Sequence, residues 1–72
     1  MGSIERQITL ELSKTNQPMS REDLRQVLSL SSVDLINGLQ SLSKRYLLKT
    51  TEGNKILFNL SPVFREYMII YD

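Results

Sequence analysis

Asn37 and Gln40 are the side chains in this chain whose donor and acceptor pairs match the edge of an adenine base. Lys44 and Lys55 are placed to neutralise phosphates beside them. Arg21, Arg25, Arg45 and Lys49 would extend these into a thin positive edge. Against this, Asp34 precedes the pair and repels phosphate, and each cation has an acidic counterweight nearby. The chain carries nine basic and eight acidic residues, a net charge of +1. A dedicated nucleic-acid domain shows a stronger basic excess, so charge alone favours an ordinary solvated surface.

Other chemistries lack their residues. There is no histidine and no cysteine, which removes the usual general base, the commonest zinc ligand, disulfides and thiolate metal sites. The serines have no base to activate them and lie in no nucleophile-elbow pattern. Glu22-Asp23 suits the first turn of a helix better than an acid/base pair, and no glycine-rich phosphate loop occurs. The sequence therefore predicts a non-enzymatic domain with no cofactor and no metal.

The 72 residues make one domain, 1–72. At this size only about 60% of the unfolded chain's surface is buried on folding, so the core must be used efficiently. Apolar residues make up 40% of the chain, as in a folded globular domain. No apolar run approaches the roughly 18 residues that cross a bilayer, and no signal peptide is visible. A cytoplasmic domain without membrane contact, monomeric in isolation, is the expectation. Met1-Gly2-Ser3 resembles a cloning remnant.

Ile4, Ile8 and Leu12 are spaced for one helical face, with Glu5, Glu11 and Lys14 off that stripe. Pro18 ends this helix near Asn16-Gln17. Pro18-Met19-Ser20 then reads as an extended link. Ser20 caps a second helix, with Asp23 in the capping-box position and Leu24, Val27 and Leu28 inward; it ends around Ser29. Ser31-Ser32 opens a third helix with Val33, Leu35, Ile36, Leu39 and Leu42 as a broad apolar face running to Tyr46. Its exposed positions are Asp34, Asn37, Gln40, Ser41 and Lys44. Gly38, mid-helix, costs about 1 kcal/mol relative to alanine and points to a close approach by a neighbour.

Leu47–Thr51 and Lys55–Leu60 read as two strands around Glu52-Gly53-Asn54, whose glycine and asparagine supply the positive φ a tight hairpin needs. Ser61-Pro62 starts a last helix carrying Val63, Phe64, Tyr67, Met68, Ile70 and Tyr71. It is still apolar when the chain stops at Asp72, as if excised from a larger multidomain protein. The predicted fold is mainly α: a winged helix-turn-helix of three helices, a β-hairpin wing and a C-terminal helix. Leu24, Leu28, Leu35, Leu39, Leu42, Leu47 and Phe58 should form the core.

Three stretches carry a family resemblance. They are Pro18–Leu24 after Ile8–Leu12, the run Leu35–Leu42 leading into Lys44-Arg45-Tyr46-Leu47-Leu48, and Phe58–Met68. Together they resemble the winged-helix domain of bacterial, especially cyanobacterial, signal-transducing NTPases of the STAND/NB-ARC type, many of which are WD-repeat proteins. The resemblance implies a regulatory docking module in signal transduction, acting through intramolecular or protein–protein contacts on a neighbouring nucleotide-binding domain. Phe64, Arg65, Tyr67 and Met68 would then form the docking surface. In many relatives a Met-His-Asp motif in this helix contacts the nucleotide phosphate. Arg65-Glu66-Tyr67 stands there here, without the histidine and with a repelling Glu66. The alternative is a DNA-binding transcriptional regulator contacting duplex DNA through Asn37, Gln40, Lys44 and Lys55.

Overall fold

In a computed structural model of the chain, residues 2–71 are described, Tyr71 by its backbone alone. The expectations placed on Met1, Asp72 and the Tyr71 side chain lie outside the described residues. The elements run α1 (Ser3–Thr15), β1 (Met19–Ser20), α2 (Arg21–Leu28), α3 (Ser32–Lys44), β2 (Leu48–Thr51), β3 (Leu57–Leu60) and α4 (Pro62–Tyr71). This is the winged helix-turn-helix read from the sequence, with one strand more.

The extra strand is the supposed link. Met19 pairs with Phe58 and Ser20 with Leu57, antiparallel, so the sheet has three strands in the order β1-β3-β2. On the other side of β3, Leu48 faces Leu60 and Thr51 faces Leu57. Two residues carry no periodicity of their own. Their extended conformation becomes a strand only because β3 offers backbone partners.

Helix ends follow local chemistry. The Ser20 hydroxyl accepts from the Asp23 N–H and the Ser31 hydroxyl from the Asp34 N–H, each at 3.1 Å. These are N-caps that each satisfy an otherwise orphaned donor. Asn16 and Ser29 close α1 and α2 in the left-handed region, both at φ 54°. The third helix ends at Lys44, before the expected Tyr46. Leu47 N–H donates to Leu42 C=O and Tyr46 N–H to Ser43 C=O, a Schellman motif with Tyr46 at φ 59°. The wing tip is the reverse of the expectation: no described glycine has positive φ.

The core joins Ile8 and Leu12 of α1, Leu24 of α2, and Leu35, Leu39 and Leu42 of α3 with Leu60, Phe64 and Met68. Leu28, Leu47 and Phe58, expected in the core, pack against it half-buried. Val27 and Val33, read as inward, are exposed, because each lies on the rim of its helix stripe. Gly38 is buried where α3 crosses α1. A Cβ there would sit 2.9 Å from Ile8 Cδ1 and 3.0 Å from Ile4 Cγ2, which is the close approach its position implied. Among the described residues no helix is long and apolar enough to cross a membrane.

Candidate nucleic-acid interface

The outward face of α3 is set by helical geometry. Leu35, Gly38, Leu39 and Leu42 are buried, so at 100° per residue the opposite face belongs to Val33, Asn37, Gln40 and Lys44. All four are exposed. Ser41, expected among the exposed positions, is instead half-buried on the flank that faces α1, where its hydroxyl donates to Glu5 Oε2 at 2.9 Å.

That bond belongs to a brace behind the exposed face. Glu5 Oε1 accepts from the Gly2 N–H at 3.1 Å, and Arg45 lies 3.9 Å from Glu5 Oε2. Glu5 therefore does not fall away from the packed side of α1, as its spacing suggested. The Ser41 hydroxyl, then the Gly2 N–H, hold its carboxyl below the ordinary glutamate range, with the Arg45 charge adding to them. The brace ties the start of α1 to the last turns of α3 and so orients the helix that carries Asn37, Gln40 and Lys44.

The cations of the supposed positive edge are not equivalent. Arg25 is bound to Glu22 at 2.7 Å on α2, and Arg45 is engaged with Glu5. Arg21, at the first position of α2, is exposed. Two adjoining grooves share it. One, about 180 Å³, runs between α3 and the wing and is lined by Arg21, Ile36, Leu39, Gln40, Ser43 and Phe58. The other, about 440 Å³, lies between α2 and the wing and is lined by Ser20, Arg21, Glu22, Lys55, Ile56 and Phe58. Of the sequence-predicted contacts, Gln40 thus opens onto the wing side with Lys55 farther along. Asn37 lines a separate hollow with Asp34 beside the start of α1. Reading the sequence missed Ile56 and Phe58 as groove residues, because only the pairing of β1 with β3 sets the wing opposite Arg21.

The residues expected to dock on a neighbouring domain are placed otherwise. Phe64 and Met68 are each 7% exposed and belong to this domain's own core. The Arg65 guanidinium donates to Asn59 Oδ1, which also accepts from the Leu60 N–H at 2.8 Å, tying α4 to the end of β3. Tyr67 is half-exposed and stacks on Phe64 with ring centroids 6.0 Å apart. Among the described residues no group of three or more metal-ligating side chains comes together.

No family model matches the chain, and no curated protein matches it significantly in sequence. Its fold matches solved structures over nearly its full length. Lactococcus lactis ZitR superposes with a TM-score of 0.84 at 16% identity, covering 99% of this chain and 50% of that one. The adhesin competence repressor AdcR of Streptococcus pyogenes gives 0.83 at 20%, covering 99% and 53%. Bordetella bronchiseptica BpsR, whose DNA binding is regulated by 6-hydroxynicotinic acid, gives 0.74 at 18%, covering 97% and 53%. The chain spans about half the length of these proteins. A repressor and a DNA-binding protein stand among them where the sequence resemblance pointed to signalling NTPases. That finding overturns the STAND/NB-ARC and WD-repeat assignment, and with it the nucleotide-binding neighbour and the docking role. What the likeness establishes for this chain is its fold, a winged helix-turn-helix.

Proposed function

We propose that this chain is the DNA-binding winged-helix module of a transcription regulator. The observation that carries the reading is the outward face of α3, where Asn37, Gln40 and Lys44 lie exposed on one stripe opposite the core. A helix seated in a major groove presents such a stripe to base edges and phosphates. Asn37 and Gln40 would read bases, Lys44 would hold a phosphate, and Lys55 on the wing would reach the flanking backbone. The likeness to a repressor and to a regulated DNA-binding protein supports the same role. With a net charge of only +1, the module binds DNA by placement of a few cations, and its affinity falls with salt by about one counterion for each phosphate held.

An amide NMR titration with short mixed-sequence duplex DNA at low salt tests the reading. The expected result is a set of shifts clustered on residues 32–45 and on the wing, reversed by added salt. No shifts at sub-millimolar DNA would exclude DNA binding by this surface.

A further inference from the structure

We infer that the α3 face selects A·T base pairs, with Val33 set against the 5-methyl group of a thymine and Asn37 and Gln40 against adenines. The inference rests on the DNA-binding reading and deepens it by naming the base pairs and adding Val33 to the residues that read them.

Val33 is a residue that the fold does not call for. It is 67% exposed and lies outside the apolar core. It stands in the first turn of α3, two residues past the capping Ser31. A β-branched side chain has modest helix propensity there, and the helix dipole favours an acid. Neither packing nor capping gains from a valine at this place. An apolar surface at the leading end of a helix seated in the major groove gains a partner when a base presents a methyl group, and thymine is the base that does.

The rest of the stripe agrees. At 3.6 residues per turn, Val33, Asn37, Gln40 and Lys44 fall within an arc of about 60°, and all four are exposed. Val33 to Gln40 covers about 10 Å of helix axis, the length of about three base-pair steps of roughly 3.4 Å. The stripe thus offers an apolar surface followed by two amides whose donor–acceptor pairs fit N6 and N7 of adenine.

Residues that would read guanine or cytosine are turned elsewhere. Guanine takes an arginine or lysine at O6 and N7. The cation of the stripe, Lys44, is the last residue of α3, whereas base edges are reached from the N-terminal part of such a helix. Arg21 and Lys55 belong to α2 and the wing. Asp34, whose carboxylate could accept from cytosine, is turned about 100° from Val33 and lines the hollow beside the start of α1.

Fluorescence anisotropy with the whole chain tests the assignment on duplexes that share flanks and differ in their central base pairs. An A·T centre should bind at least about tenfold more tightly than a G·C centre. Replacing every central thymine by uracil removes only the 5-methyl groups and should weaken binding roughly threefold to fivefold. Val33→Ser should lose the same factor on the thymine duplex and bind the thymine and uracil duplexes alike. Thermal melts confirm that this exposed substitution keeps the fold. An A·T preference that is indifferent to uracil and to Val33→Ser would come from DNA shape and would overturn the assignment. Equal binding to all centres, weakened throughout by Lys44→Ala, would overturn it while the α3 reading stands. If the wild type binds no duplex, both fall.

Discussion

Gly38 of α3 lies so close to Ile8 of α1 that a methyl group added to the glycine would come within 2.9 Å of the isoleucine's terminal carbon. Ile8 is fully buried, so it has little room to retreat. Gly38→Ala gains up to about 1 kcal/mol of helix propensity and incurs about 1–3 kcal/mol of overpacking. Ile4 Cγ2, a branch near the backbone, stands only 3.0 Å from the same point and adds to the clash. Net destabilisation by roughly 1 kcal/mol is expected, lowering Tm by about 4–8 °C. A rise in Tm would show that α1 and α3 can separate without loss.

Tyr46 presents the opposite case. It occupies the position after α3 that glycine usually fills in a Schellman motif, at φ 59°, and is 87% exposed. Its side chain packs on little, while its backbone holds a conformation that disfavours a Cβ. Tyr46→Gly is expected to raise stability by about 0.5–1 kcal/mol, measured by urea denaturation at constant m. An equal loss would mean that the ring makes a contact worth more than the strain.

Glu5 makes stability depend on pH. Its carboxyl is held below the ordinary range by the Ser41 hydroxyl, then by the Gly2 N–H and the Arg45 charge. A group depressed in the folded state contributes stability that is fully present above its unfolded value, about pH 4.3. That contribution is lost as pH falls through the folded value. Acid destabilisation below about pH 5 should therefore be shallower in Glu5→Gln than in the wild type. Ser41→Ala should move the Glu5 carboxyl titration, followed by NMR, upward toward ordinary glutamate. An unmoved titration would remove the brace from the account.

Base reading and phosphate holding should separate on α3. Gln40→Ala is expected to cost about 1–3 kcal/mol on a preferred sequence and little on mixed DNA. Lys44→Ala should weaken all sequences alike and reduce the salt slope by about one. Identical profiles for the two variants would mean that α3 contributes charge without base readout.

How much of this was legible beforehand can be judged from particular residues. Ser20, Ser31 and Pro62 mark helix starts in the sequence and do so in the structure, because capping acts within a single turn. The leucine stripe of α3 and the three-residue spacing of Asn37 and Gln40 were equally readable, since helical periodicity assigns faces without reference to the rest of the chain. The family assignment went astray for a related reason. A leucine-rich helix before a wing reflects the packing of this fold, and it does not report what the fold does.

Element order, caps, the inward stripe of α3 and the absence of histidine and cysteine were thus determined by the sequence alone, through interactions of residues near one another along the chain. Tertiary structure decided that Met19-Ser20 becomes a strand, that Glu5 turns inward to Ser41, and that Phe64 and Met68 fill this domain's core. It also decided that Arg21 shares a groove with Ile56 and Phe58 of the wing. Each of these depends on a partner distant along the chain, 36 residues for Ser41 and Glu5, or on another element's surface. A side chain's own type and spacing carry no record of which distant surface will cover it.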